Sequence, residues 1–261
     1  MKVTKKFSGK SMIDANYTWS RDLTNSQNDY STEPQNTYDL ASEYGRAADD
    51  RKQVLTADGV YELPWMKEQH GILGHLIGGW ETSGILAMNS GLPLTITESA
   101  AYTINYTYNG TAYTSALNGQ NNGNYVTDAA GIGVLGNTNA GLRPNQIGNP
   151  NKGYGTPIHN RHQWFYEGAF ATPVASNSGG LVGNERRGVV SAPGFTRVDL
   201  GLFRNVKLHE GVNFQLRGEA FNAFNHTNLG SPTTSASSST FGQITGARDN
   251  RIMQIAGKFT F

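Results

Sequence analysis

The chain has 261 residues, of which 37% are hydrophobic, and it contains 32 glycines and no cysteine. A formal net charge of +1 argues against nucleic-acid binding, and zero cysteines exclude disulfides and thiolate chemistry. The mean hydropathy is −0.48, and no apolar run approaches the roughly 18 residues of a membrane helix. The strands of a membrane barrel give a much weaker hydropathy signal, so these values do not exclude them.

The N-terminal segment is basic and lacks the apolar stretch of a signal peptide. An outer-membrane chain needs such a peptide, so we expect this chain to be the downstream piece of a longer protein. A partial strand is predicted around Val3 to Phe7, and a short turn follows at Ser8, Gly9 and Lys10.

Several later segments alternate apolar and polar residues with period two, which predicts strands with one apolar and one polar face. They are residues 11–19, 54–63, 196–206 and 212–220. The segment 80–97 is apolar and rich in β-forming residues, but its alternation is poor and leaves its facing open.

The C-terminal segment shows the clearest alternation and stops on an aromatic residue. Met253, Ile255, Gly257, Phe259 and Phe261 share one face, while Gln254, Ala256, Lys258 and Thr260 share the other. A soluble sheet rarely ends on a bare apolar edge, because open edges promote aggregation. A closed barrel has no such edge, and outer-membrane barrels turn apolar residues outward. We therefore expect Phe259 and Phe261 to point outward.

The connections are unequal in length. Short turns lie at 8–10 and 208–211 and a compact linker at 66–79, whereas long polar loops span about 21–50, 98–193 and 226–251. Short periplasmic turns and long extracellular loops are typical of membrane barrels, and such loops are uncommon in compact soluble domains. The predicted fold is all-β, with about eight antiparallel transmembrane barrel strands. Eight strands can close a small barrel or form roughly the last third of a 22-stranded one.

Charged residues on the polar faces of these strands are candidate lumen-facing residues. They are Asp14, Asp58, Glu62, Arg197, Asp199, Arg217 and Glu219. Paired carboxylates can also carry out acid–base catalysis. In a membrane barrel, however, an Arg or Lys at mid-depth on the lipid face costs about 2–4 kcal/mol, whereas positions that face the lumen tolerate charges. Lumen facing is therefore favoured. Two pairs, Arg197 with Asp199 and Arg217 with Glu219, are expected to form a charge lattice on the inner wall.

Aromatic and histidine residues suggest two further kinds of site. Tyr17, Trp19, Tyr61, Trp65 and Trp80 lie near strand ends, where an interfacial girdle is favoured over a ligand platform. His159 and His162 lie three residues apart but in a loop, and they lack a third ligand at diagnostic spacing. No metal site and no cofactor are therefore predicted.

Several short motifs follow one another in a recognisable order. They include Tyr17-Thr18-Trp19-Ser20, Tyr61-Glu62-Leu63-Pro64, Ser90-Gly91-Leu92-Pro93, Leu142-Arg143-Pro144-Asn145, Ala169-Phe170-Ala171-Thr172-Pro173 and Gly218-Glu219-Ala220-Phe221-Asn222. Together they resemble the C-terminal part of the Oar-like TonB-dependent receptors, outer-membrane proteins with a carboxypeptidase-regulatory-like N-terminal domain. The resemblance covers nearly the whole chain.

This resemblance implies that residues 1–261 are the C-terminal part of a receptor barrel in a Gram-negative outer membrane. Such a segment takes part in substrate uptake and has no enzymatic chemistry of its own. The implied partners are membrane lipid, the barrel assembly machinery, which reads the last strand with Phe259 and Phe261, the receptor's plug domain, and TonB through that plug. No nucleic-acid partner is implied.

Two other functions stay open from the sequence. The first is a self-contained small outer-membrane barrel that acts as an adhesin or binding module through its long loops. The second is a secreted β-rich enzyme, which is disfavoured because no nucleophile, base and orienting group converge in the sequence.

Overall fold

The computed structural model describes residues 1–7, 9–25, 39–65, 77–98, 102–108, 111–117, 143–172, 183–209 and 211–261, with positions 69, 71 and 74. Its strands are β1 (Lys2–Lys6), β2 (Met12–Trp19), β3 (Leu23–Thr24), β4 (Gly45–Arg46), β5 (Gln53–Glu62), β6 (Trp80–Asn89), β7 (Pro93–Leu94), β8 (Tyr102–Tyr108), β9 (Thr111–Leu117), β10 (Asn145–Gln146), β11 (Phe170–Ala171), β12 (Val190–Ser191), β13 (Phe195–His209), β14 (Val212–Phe221) and β15 (Ile252–Thr260). Short 3-10 helices span Leu40–Glu43 and Glu167–Ala169. Over these residues, no helix is long and apolar enough to cross a membrane.

Seven of these strands form one sheet, which we call the wall, in the order β1-β2-β5-β6-β13-β14-β15. All neighbouring pairs are antiparallel, which confirms the predicted fold class. About eight strands were expected and seven are present in this sheet. The apolar segment 80–97 contributes one wall strand, β6, and continues only as the short β7, which pairs with β12 outside the wall.

The wall has one apolar and one polar face, because directly paired residues of neighbouring strands point to the same side. The apolar face includes Ile13, Ala57, Leu86, Val198, Leu200, Leu216, Ala220, Met253, Ile255 and Phe259. The register also settles the facing of β6, since Leu86 pairs with both Ala57 and Val198. Ile85 pairs with Asp58 and Asp199 and so lies on the polar face, which explains the poor alternation of that segment.

Neither face of the wall packs against a core. Ile255 is 83% exposed and Met253 71% exposed. Among the described residues, the buried apolar side chains all lie in the connections between wall strands: Ala47, Ile96, Phe165, Ala169, Val190 and Ile244. The wall therefore has the surface of a sheet that needs a covering medium on its apolar side.

The connections divide the sheet into two ends. At the turn end, β1 passes to β2 and β13 to β14 through tight turns, and Gly211 in the second turn has a φ of +80°. The 63–79 connection lies at this end too. At the loop end, the described parts of the three long connections come together, namely residues 20–25, 39–52, 90–98, 143–172, 183–194 and 222–251.

The wall strands are tilted, as the register shows. Lys6 is the last residue of β1. Its partners from strand to strand across the wall include Ser83 in β6 and Gly201 in β13, and the last of them is Gln254 in β15. β15 continues from there to Thr260, so the turn end shifts by about one residue per strand. With about 3.3 Å per residue and 4.8 Å between strands, this shift corresponds to a tilt of about 35°, as in barrels.

The long connections fold into a unit that we call the loop cap, comprising residues 39–52, 90–98, 143–172, 183–194 and 222–251. Its apolar centre consists of Ile96, Phe165 and Val190, with Trp164, Phe170 and Phe241 packed around it. The ring of Phe165 lies edge-on to those of Phe170 and Phe241, at centroid distances of 5.9 and 5.1 Å. This centre joins the second and third long connections, because Phe241 belongs to the third.

Candidate functional site

The seven charged residues predicted to face a lumen all lie on the polar face of the wall. Asp14 is in β2, Asp58 and Glu62 are in β5, Arg197 and Asp199 are in β13, and Arg217 and Glu219 are in β14. The register sets Asp14 opposite Asp58, and Glu62 opposite Glu81. The seven residues share one face but are spread along it, so they do not form a single site.

One of the two expected charge pairs is present. Arg197 Nε donates to Asp199 Oδ1 at 2.7 Å and to Oδ2 at 3.0 Å. Arg217 instead donates from Nε to Gln215 Oε1 at 2.6 Å, and its guanidinium lies 5.7 Å from the Phe203 ring centre.

Amides, a lysine and a threonine provide further side-chain contacts of this face, and Thr4 Oγ1 donates to Asp14 Oδ1 at 3.2 Å. Glu219 accepts a hydrogen bond from Gln254 of the last strand. Asp14 pairs with Lys2 Nζ at 3.0 Å. The polar face is therefore a network of charged and amide groups, which suits contact with water rather than lipid.

A cavity of about 310 Å³, which we call the mouth cavity, lies where the polar face meets the loop end. Its lining residues are Phe195, Arg197, Phe221, Asn222, Asn228, Arg248, Asp249, Asn250 and Ile252. The cavity therefore combines aromatic, amide and charged groups from β13, β14, β15 and the 222–251 connection. Polar groups that converge in a concave site of this size are typical of small-ligand sites.

The wall and the 222–251 connection are joined at this cavity by Asp199 and Asn222. The Asn222 N–H donates to Asp199 Oδ1 at 2.8 Å, on the same oxygen that accepts from Arg197. Asn222 has a φ of +51°, a left-handed conformation that asparagine tolerates better than most residues. Its side chain accepts from the His226 N–H at 2.9 Å and donates to the His226 carbonyl at 3.0 Å. The start of this connection is thereby held against the polar face.

Two arginines of the mouth cavity lie over aromatic rings. The Arg197 guanidinium is 5.7 Å from the Phe221 ring centre, and that of Arg248 is 5.2 Å from the Phe195 ring centre. Such contacts restrict the position of a guanidinium and leave its N–H edges available.

A buried ion cluster holds the first and second long connections together in the loop cap. Arg143 binds both carboxylate oxygens of Glu43, at 3.0 and 2.9 Å, and Arg187 binds Glu43 Oε2 through Nε at 2.7 Å. The Glu43 side chain is fully buried and those of the two arginines almost so. Removing one partner of such a cluster leaves an uncompensated buried charge.

Among the further carboxyl groups of the cap, Glu185 and Asp50 have pKa values shifted in opposite directions. Burial raises the pKa of Glu185 to about 8, against the opposing effects of the Ile96 N–H, 3.2 Å away, and of Arg143. Burial opposes ionisation of Asp50 as well, but hydrogen bonds from Arg46 and from the Asp22 N–H outweigh it and lower the pKa of Asp50. Glu185 therefore titrates near neutrality inside the cap.

The aromatic residues near strand ends lie mostly on the apolar face. Tyr17 pairs with Leu55, Tyr61 with Thr82, and Trp80 with Arg204, whose guanidinium lies 5.6 Å from the Trp80 ring centre. This arginine is at the turn end, where a charge on the apolar face costs much less than at mid-depth.

The last strand places its aromatic residues as the alternation predicts. Phe259 pairs with Phe214 on the apolar face, with ring centres 4.7 Å apart, and its ring stacks at 6.5 Å on that of Phe261. Phe261 is 92% exposed. His159, one of the two loop histidines, packs edge-on to Trp164 at 5.3 Å.

Several residues of the mouth cavity and the cap were not predicted from the sequence. Asn222 and Arg143 lie within motifs that carried the family resemblance, but no alternation of apolar and polar residues indicated which way their side chains point. Arg248 and Glu43 lie in irregular connections, where the spacing of residues in the sequence does not predict the direction of a side chain. Their roles depend on contacts between distant segments, such as that between Glu43 and Arg143.

A tilted antiparallel sheet with one apolar face, one polar face and all long connections at one end defines a β-barrel of the outer-membrane class. Residues 1–254 match the outer membrane beta barrel domain family, and the chain belongs to that family. Its place is therefore the outer membrane, with membrane lipid as a neighbour. No curated protein and no solved structure matches the chain.

Proposed function

We propose that the chain is the C-terminal part of the barrel of a TonB-dependent outer-membrane receptor and takes part in substrate uptake. In this proposal the apolar face meets lipid, and the polar face, which includes the seven predicted charged residues, lines the lumen. The long connections lie outside the cell, and the mouth cavity is at the lumen's outer opening. The motifs that resemble the Oar-like receptors support this assignment.

The observation that carries the proposal is the odd number of wall strands among the residues that the structure describes. β1 and β15 are the two edges of an antiparallel sheet of seven strands, so they run in the same direction. Joining them directly would give a parallel pair, whereas outer-membrane barrels of single chains are antiparallel throughout. An antiparallel wall needs additional strands between them, and a membrane leaves open edges unsatisfied. In this proposal the additional strands belong to the rest of the receptor barrel.

Two experiments test this proposal. Refolded alone in detergent, residues 1–261 should not give a heat-modifiable monomeric barrel. A stable monomer would favour the self-contained small barrel acting as an adhesin or binding module.

In the second experiment, the full-length protein should bind the purified periplasmic domain of TonB from the same organism in biolayer interferometry. Absence of that binding would rule out the receptor assignment.

The last strand is proposed to carry the signal that the barrel assembly machinery reads. Phe259 lies on the apolar face and the ring of Phe261 stacks on it, while Lys258 pairs with Gln215 on the polar face. Deleting residues 259–261 should remove the full-length receptor from the outer membrane, and Lys258→Gln should leave its level unchanged. Normal outer-membrane levels of the truncated receptor, measured by immunoblot of membrane fractions, would contradict this role.

A further inference from the structure

We infer that the mouth cavity binds the carboxylate, or a similarly compact anionic group, of an incoming solute, and that Arg248 is the residue that recognises it. The inference rests on the proposed uptake function and adds to it the chemical class of the solute. It begins from the distribution of charge around the cavity.

The Arg197 guanidinium at the cavity is paired with a carboxylate. Asp199 binds the Arg197 Nε with both carboxylate oxygens and so neutralises it. Asp249 also lines the cavity but is exposed, and it forms no ion pair among the described residues.

Arg248 differs from Arg197 in its partners. Within the part of the chain that the structure describes, no ion pair involves its guanidinium, which lies 5.2 Å from the Phe195 ring centre. The backbone of Arg248 is anchored, because its N–H donates to the Asn228 carbonyl at 2.7 Å. Asn228 is itself fixed to the Thr196 backbone by two hydrogen bonds of 2.8 Å.

This arrangement suits anion recognition. A guanidinium resting on an aromatic ring loses little further freedom when its N–H edge binds a carboxylate in a bidentate manner. Arg248 is exposed and lines the cavity, so a solute in the barrel mouth can reach it. The amide side chains of Asn222 and Asn250 line the same space and offer neutral hydrogen-bonding groups. A volume of about 310 Å³ admits only a small solute or one end of a larger one.

The test uses the full-length receptor in detergent micelles and ¹⁹F NMR of trifluoroacetate, with trifluoroethanol as the uncharged counterpart. Wild-type protein should broaden the trifluoroacetate signal saturably and leave that of trifluoroethanol unchanged. Arg248→Gln should weaken trifluoroacetate binding roughly tenfold, the effect of losing one charge-assisted pair, and Arg248→Lys should weaken it less.

Arg251→Gln is the matched control. Arg251 lies three residues further along the chain, is exposed, and donates to the Ala223 carbonyl at 3.4 Å without lining the cavity. Its substitution should leave trifluoroacetate binding unchanged. Heat-modifiable migration checks that each variant is folded.

Three results would overturn the inference: no saturable trifluoroacetate binding to the wild type, equal binding by Arg248→Gln, or equal binding of trifluoroethanol. Binding to the TonB domain is measured on the same protein preparations. A receptor that binds TonB but not trifluoroacetate refutes the anion site and leaves the uptake proposal standing. A protein that binds trifluoroacetate but not the TonB domain refutes the receptor assignment and leaves the anion site standing.

Discussion

The wall and the loop cap are stabilised in different ways, although one chain forms both. The wall has regular pairing and two exposed faces, and none of its described apolar residues is buried. The cap has little regular structure but contains an apolar centre and a buried ion cluster. The wall relies on backbone pairing and on lipid, whereas the cap is packed like a small soluble domain. The same kind of substitution should therefore have different consequences in the two regions.

The largest effect is expected in the cap. Glu43→Gln leaves Arg143 and Arg187 buried without their counter-charge, which typically costs about 3–5 kcal/mol. The wall does not depend on this cluster, so the full-length protein should still insert. Limited trypsin digestion of the detergent-solubilised full-length protein should show rapid cleavage in the cap, for example at the exposed Arg186. Asp49→Asn, an exposed carboxylate of the same connection, is the control and should digest like the wild type.

The next effect belongs to the wall. Ile255→Arg places a charge on the apolar face near mid-depth, at a cost of about 2–4 kcal/mol. Gln254→Arg changes the adjacent residue on the polar face, beside Glu219, where a positive charge is favourable. The heat-modifiable fraction of the full-length protein in outer-membrane preparations should fall for the first variant only. Equal losses would mean that the two faces do not meet different media.

The smallest effect concerns the pH dependence of the cap. The pKa of Glu185 is raised from 4.5 to about 8 in the folded cap, so the folded state holds a proton that the unfolded state releases. Its contribution to stability is complete below pH 4.5 and is lost as the pH rises through 8. The slope is at most about 1.4 kcal/mol per pH unit.

Glu185→Gln should remove this dependence, because glutamine resembles the protonated acid in shape. The cap of the wild type should resist trypsin less at pH 8.5 than at pH 7.5, after correction for the protease's own pH profile, and that of the variant should not. Parallel loss of resistance in both proteins would show that another group titrates.

The same contrast explains what the sequence could predict. Period-two alternation placed the seven predicted charged residues on one face of the sheet and Phe259 on the other, because facing in a strand follows from local spacing. β6 was the exception, since Ile85 interrupts the pattern and only its pairing with Asp58 and Asp199 settles the face. The Arg217–Glu219 pair was not found, because neighbouring amides supply other partners.

The cap and the mouth cavity were beyond such analysis. Glu43 and Arg143 are separated by 100 residues and meet only when two long connections pack together. Arg248 gains its position from Asn228 and Phe195, which come from different segments. Contacts of this kind leave no period in the sequence.

The central claim is that the apolar face of the wall meets lipid and the polar face meets water. Since these 261 residues contain no cysteine, single cysteines at successive positions from 253 to 258 can carry nitroxide spin labels in the full-length protein, with any cysteine elsewhere in it replaced by serine. In lipid bilayers, oxygen should relax the labels at 253, 255 and 257 most strongly, and a water-soluble nickel chelate those at 254, 256 and 258. Accessibilities without a two-residue period, or with the opposite phase, would contradict the assignment of the two faces.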